Sequence, residues 1–235
     1  MSHCSFSSVS NRESTPEVGK EFCRNPLVKK ISFTGSTAVG KALMKQSSDT
    51  VKRLSLELGG NAPFIVFDDA DIEQAVDAAV ASKFRNSGQT CVCADRFIIQ
   101  ESVLNAFLFS LIARISTFKI GPGLQDTTTM GPLISTAAVK SVKEKVEEAV
   151  DKGAEILIGG KHMSDLGPNY FEPTVLRNVD TKSKIWSEET FGPVVAIATF
   201  KREEEALEMA NDTRSGLAAY FCTRDMDRIF RFGGK

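Results

Sequence analysis

Strand-like and helix-like stretches take turns along this chain, and that alternation is its strongest constraint on fold. Apolar runs at 64–67, 96–100 and 194–200 have the length of strands, whereas 71–83, 102–118 and 203–211 carry helical patterns. Parallel strands cannot be joined by a tight hairpin and need a crossover of a dozen or more residues, usually a helix. The alternation therefore predicts an α/β architecture with a mostly parallel sheet. Within 102–118 the apolar residues Val103, Phe107, Leu111 and Ile115 fall on one helical face, which makes that stretch structural.

The remaining segments fit the same plan. Residues 1–15 are Ser-rich and polar, bury little, and are expected to form a disordered tail. With one Arg (Arg12), one Glu (Glu13) and no apolar face, they lack the Arg-rich, acid-poor amphipathic pattern of a mitochondrial presequence. A short helix from Glu17 is stopped by Pro26, and 27–33 reads as a strand. Further on, 137–152 is a Lys- and Glu-rich amphipathic helix with a solvated face. Strands are expected at 154–158 and 217–222 and an extended segment at 170–179.

Charge and cysteine content exclude several function classes. Lys plus Arg number 29 against 30 Asp plus Glu, a net charge of -1, so there is no basic footprint for nucleic acid or a membrane surface. No apolar run approaches the roughly 20 residues of a membrane-spanning helix. Five cysteines without a framework spacing point to a reducing compartment rather than a disulfide-stapled domain. The two histidines, His3 and His162, stand far from any Cys-x-x-C pair, so no metal site is expected.

Three short stretches carry possible chemistry. In Thr34-Gly35-Ser36-Thr37 a strand ends and a helix opens on an N-capping Ser, so first-turn N–H groups and the helix dipole could hold a phosphate; a plain capped turn reads the same way. In Leu54-Ser55-Leu56-Glu57-Leu58-Gly59-Gly60 a carboxylate interrupts an alternating strand end. It is either a general-base candidate or an outward-facing edge glutamate. The third stretch, 84–95, reads F-R-N-S-G-Q-T-C-V-C-A-D and places Cys91 and Cys93 in a polar, glycine-containing loop between a helix and a strand. Loops on rigid scaffolds carry chemistry, but a free cysteine is more often a small buried hydrophobe.

Taken together, F-T-G-S-T-x-x-G, E-L-G-G-N-x-P and F-x-N-x-G-Q-x-C, in this order, resemble the NAD(P)-dependent aldehyde dehydrogenase superfamily, and within it the succinate-semialdehyde dehydrogenases. The downstream E-E-T-F-G-P agrees, and the resemblance runs from about Pro16 to Arg231. It implies an incomplete aldehyde dehydrogenase fold, with 16–59 the C-terminal part of the dinucleotide-binding domain and 60–235 the catalytic domain. Cys91 matches the family's nucleophile and Glu57 its general base, with the Cys91 amide as an oxyanion donor. The cofactor implied is NAD, with NADP equally admissible. Thr34, Gly35 and Ser36 would lie at its pyrophosphate, Leu58 at the carboxamide, and Glu189 with Phe191 at the nicotinamide ribose. Arg85, six residues before the nucleophile, matches a substrate residue that pairs with a far carboxylate, a role suited to a planar guanidinium; a helix-end surface Arg is the alternative. Cys93 matches a partner for a reversible disulfide with Cys91.

The resemblance also sets the expected partners: a small aldehyde carrying a carboxylate, and a homo-oligomeric setting. It implies a mitochondrial location, with the cytoplasm as the alternative. Family chains are roughly twice as long. The expectation is therefore that the first part of the dinucleotide domain, a second oxyanion donor and the strand used for subunit assembly are missing, and that this chain alone oxidises little or no succinate semialdehyde; the alternatives are another aldehyde substrate, an esterase-like fragment that forms the thioester without a full cofactor site, or an inactive form that only associates with full-length subunits.

Overall fold

A computed structural model describes residues 13–234 of the chain, in two compact units, Met1–Gly59 and Gly60–Lys235. The expected tail at 1–15 lies almost wholly outside the described residues.

In the first unit, helix α1 (Thr15–Arg24) is followed by strand β1 (Lys30–Thr34), helix α2 (Thr37–Ser47) and strand β2 (Arg53–Glu57). The two strands pair in parallel, from Lys30 opposite Arg53 to Thr34 opposite Glu57. β1 starts three residues later than the apolar pattern suggests. Lys52 Nζ donates to the carbonyls of Asn25 and Val28, both at 2.7 Å, and Asn25 Oδ1 accepts from the Leu27 amide. These bonds hold 25–28 as a turn.

The second unit is a six-stranded sheet. Its strands are β3 (Ala62–Val66), β4 (Ala94–Gln100), β5 (Glu155–Ile158), β6 (Thr174–Arg177), β7 (Val194–Phe200) and β8 (Tyr220–Cys222). The order across the sheet is β5-β6-β7-β4-β3-β8, with β5 antiparallel to β6 and every other pair parallel. β3, β4 and β7 are almost wholly buried, as strands covered on both faces must be. Side chains alternate between faces with the strand period of two. Phe64, Val66, Phe97, Ile99, Val195 and Ile197 join one core under α3 (Ile72–Phe84) and α4 (Leu104–Ile115). Ile65, Ile98, Leu176 and Ala196 join the other, under α5 (Thr136–Asp151), α6 (Lys184–Ser187) and α7 (Glu203–Asn211). The α4 stripe behaves as expected: Phe107, Leu111 and Ile115 are buried. Among the described residues no helix is long and apolar enough to cross a membrane.

A last helix, α8 (Met226–Gly233), lies beyond the helices and strands expected from the sequence. Asp225 caps it. Arg228 fixes it, with Nη1 on Asp69 at 2.7 Å, Nε on Glu203 at 3.1 Å and its guanidinium 4.2 Å from the Phe67 ring centroid.

Within this unit the loops that matter for chemistry lead into strands. Gly60 precedes β3, Cys91 and Cys93 precede β4, residues 189–193 precede β7, and Tyr220 opens β8. Those four strands are parallel neighbours or next neighbours, so all four loops gather at the N-terminal edge of the sheet.

Candidate active site

The approach to Cys91 is a strained turn. After α3, Asn86 and Ser87 adopt left-handed conformations (φ 49° and 57°) and Gly88 continues them at φ 80°. Such backbone costs a non-glycine residue about 1 kcal/mol or more. Here it is held by Asn86 Nδ2 on the Gln89 carbonyl at 3.0 Å and by Ser87 Oγ on the Gly131 carbonyl at 2.8 Å. Gly88 is required twice over, because a Cβ there would overlap the carbonyl of Gly192. The loop before β4 and the loop before β7 thus meet backbone to backbone.

Cys91 is half-buried at the end of this turn, and among the described residues its backbone N–H has no protein acceptor. The thiol and a free amide donor therefore lie on one residue, as covalent chemistry at a carbonyl requires. The carbonyl of Cys91 faces Gly60, where any side chain would collide with it. The other described cysteines are placed differently. Cys23 is fully buried in the first unit. Cys222 sits within β8, where burial pushes its thiol up to about 11, leaving it protonated at neutral pH. Cys93 is 2% exposed; its Sγ lies 2.9 Å from Thr90 Oγ1 and donates to the Lys83 carbonyl at 3.7 Å. Cys91 and Cys93 are both free thiols.

The Arg85 side chain is exposed and makes no hydrogen bond or ion pair with a described residue. It belongs to the same neighbourhood as the cysteines, through Tyr220. The Tyr220 hydroxyl donates to the Val92 carbonyl at 2.7 Å. Burial raises its pKa, the nearby Cys93 and Cys91 raise it further, and Arg85 opposes them. Tyr220 has no signal in the sequence, since it is the pairing of β8 with β3 that brings it beside the cysteine loop.

Residues 188–193 are held from several sides. Lys145 Nζ donates to the Glu189 carbonyl at 2.6 Å, and the Glu189 carboxylate accepts from the Gly60 amide at 3.1 Å. Burial raises the Glu189 pKa; the Gly60 hydrogen bond lowers it, Asp95 adds to the rise, and Lys145 and Lys83 oppose it. Phe191 is left-handed (φ 50°) and 42% exposed, an aromatic ring presented to solvent by strained backbone.

Of the remaining residues singled out from the sequence, all lie in the first unit. Glu57 closes β2 with its side chain exposed, and its carbonyl accepts from the Gly35 amide at 3.0 Å. Leu58 packs against Gly40, where a Cβ would come within 2.6 Å of its side chain. Thr34, Gly35 and Ser36 are exposed at the strand-to-helix turn, and Ser36 Oγ caps α2 by accepting from the Val39 amide at 3.4 Å. This is the arrangement an anionic group needs at a helix N-terminus, so the turn fits a dinucleotide pyrophosphate.

The family model for the aldehyde dehydrogenase family matches residues 7–235. The chain belongs to the aldehyde dehydrogenase family. It is 56% identical over 220 residues to succinate-semialdehyde dehydrogenase [NADP(+)] 1 of Schizosaccharomyces pombe, covering 94% of this chain and 44% of that protein. It is 52% identical to glutarate-semialdehyde dehydrogenase of Pseudomonas putida, over 93% of this chain and 45% of that one. The crystal structure of succinate-semialdehyde dehydrogenase from Burkholderia pseudomallei is 50% identical, with a TM-score of 0.93, across 97% of this chain and 46% of that one. The α/β aldehyde dehydrogenase fold expected from the sequence is thus present, and the chain spans less than half the length of these relatives.

Proposed function

We propose that this chain carries the acyl-transfer centre of an oxidoreductase that converts an aldehyde bearing a remote carboxylate, succinate semialdehyde foremost, to the acid. The observation that supports this most is the half-buried Cys91, whose amide has no acceptor among the described residues, in a loop shared with an Arg85 side chain that has no partner among them. In this reading the Cys91 thiolate attacks the aldehyde carbon, its amide steadies the resulting oxyanion, and a thioester to Cys91 remains after oxidation. A nicotinamide dinucleotide, NAD or NADP, supplies the hydride acceptor when bound. Thr34, Gly35 and Ser36 would hold its phosphates, Leu58 its carboxamide, and Glu189 with Phe191 its nicotinamide ribose. Glu57 serves as the base that activates the water that hydrolyses the thioester. Residues 16–59 would then belong to the C-terminal part of the dinucleotide-binding domain and 60–235 to the catalytic domain. We extend the reading to a homo-oligomeric, mitochondrial setting on family resemblance alone.

Arg85 sets the substrate class. Succinate and glutarate semialdehydes, named for two of the relatives, differ by one methylene and share a terminal carboxylate, which a guanidinium binds in bidentate fashion. A test that needs no dinucleotide compares acylation of Cys91 by the 4-nitrophenyl half-ester of succinate with that by neutral 4-nitrophenyl butyrate. In each, the C–S bond forms as nitrophenolate leaves. Arg85→Ala is expected to cut the preference for the anionic ester roughly ten- to a hundredfold, the equivalent of one charged hydrogen-bonded contact. An unchanged ratio rejects Arg85 as the carboxylate anchor.

A reversible Cys91–Cys93 disulfide belongs to the same proposal. Peroxide would be the oxidant, two thiols giving one disulfide and water, and Cys93 would have to leave Thr90 and the Lys83 carbonyl to reach Cys91. Peptide mapping after peroxide treatment is expected to find the linked pair. Only sulfenic or sulfinic acid on Cys91 would sink it.

A further inference from the structure

We propose that Asp95 is a positioning residue whose carboxylate, set by Lys83 on one oxygen, locks the Cys91 loop to the Glu189–Phe191 loop by accepting from the Thr190 amide on the other. This deepens the functional reading above and rests on it. Lys83 and Asp95 are 0% and 2% exposed, and Nζ of Lys83 lies 2.7 Å from Oδ1 of Asp95. Two full charges are withdrawn from water only where their partners are fixed, and for stability alone an apolar pair does as well. The atoms that surround this pair give it a local task.

Lys83 is near the end of α3, just before the strained turn, and its carbonyl accepts from Cys93 Sγ. Asp95 follows Cys93 by two residues at the start of β4. Its second oxygen, Oδ2, accepts from the Thr190 amide at 3.3 Å, and Thr190 is 4% exposed. One carboxylate therefore joins the segment entering the cysteine loop, the segment leaving it, and the backbone between Glu189 and Phe191. Lys145 and Gly60 hold the Glu189 side of that backbone. Asp95 holds the next residue, where the chain turns into the left-handed Phe191. The consequence is that Cys91 and Glu189 keep a common frame even though they are almost a hundred residues apart.

The test is amide hydrogen exchange at Thr190 in the full chain, with alkylation of Cys91 by iodoacetamide measured in parallel. Removing Lys83 in both variants avoids stranding a buried charge. In Lys83→Met/Asp95→Ala, Thr190 exchange is expected to rise about tenfold or more while β4 and β7 amides stay protected, and the Cys91 alkylation rate to shift with it. In Lys83→Met/Asp95→Asn the amide oxygen still accepts from Thr190, so exchange and alkylation should return to within about threefold of the unmodified protein. Equal exchange in the two variants overturns the proposal. The unmodified protein provides a second, independent test: a Thr190 amide that exchanges like an open loop overturns the proposal however the variants fold. A Cys91 that resists acylation defeats the functional reading instead, whereas a reactive Cys91 with indistinguishable variants defeats the positioning role alone.

Discussion

Cys91→Ala is expected to abolish acyl transfer from the succinate half-ester, by a factor on the order of 10³ or more relative to the unmodified chain. The effect is large because the reaction loses its nucleophile outright, and among the described residues no other cysteine is placed to substitute. Cys93 is buried and engaged by Thr90 and Lys83, and the Cys222 thiol is held protonated by burial. The substitution removes only sulfur from a half-exposed loop position, so the folded state should be retained. Cys93→Ser is the matching control and should leave most of the transfer rate intact. Release of nitrophenolate, followed by absorbance, checks both. A Cys91→Ala protein that still turns over the ester at a comparable rate would mean that the chemistry lies elsewhere.

Arg96→Ala is expected to lower stability by about 3–5 kcal/mol, the loss that follows when a buried charged group with several partners is removed. Arg96 is fully buried on β4 and donates to three carbonyls: Nε to Asn61 at 3.0 Å, Nη1 to Met209 at 2.6 Å and Nη2 to Ala210 at 2.8 Å. Its guanidinium also lies 6.0 Å from the Trp186 ring centroid. Burial lowers its pKa, and the carboxylates of Asp212 and Asp95 oppose that shift. Alanine would leave a cavity and three acceptors without donors, and it would release the residue after Gly60, whose amide supports Glu189. Urea unfolding of the variant checks the magnitude. A loss below about 1 kcal/mol, within the range of a single ordinary hydrogen bond, would show that the carbonyls find other partners.

How much of the fold and site is legible in the sequence depends on sequence distance. The central strands follow from their apolar runs, and α2, α3 and α5 from capping residues and periodicity, because those signals are local. Helix α8 carries a local signal in its Asp225 cap, but where it docks is not legible, since what holds it there is Arg228 bonded to Asp69 and Glu203, partners that only the fold brings near. The strand expected at 217–222 shortens to Tyr220–Cys222 for a related reason: only its last residues find partners along β3. In the site, Arg85, Cys91 and Cys93 lie within nine residues and can be read from one motif. Tyr220 on the Val92 carbonyl and Asp95 on the Thr190 amide cannot, because each spans much of the chain. One faint signal exists. Lys83 and Asp95 are opposite charges set at the element ends on either side of the cysteine loop, each beside a Phe- or Ala-containing buried stretch, where burial demands a partner.

The most direct check on Cys91 as the acyl-transfer nucleophile is to quench the chain during reaction with the succinate half-ester and map the acyl group by peptide mass spectrometry. A succinyl thioester on Cys91 is expected in the unmodified protein, diminished in Arg85→Ala. Acyl groups on Cys93 or on surface lysines, with Cys91 unmodified, would contradict that assignment.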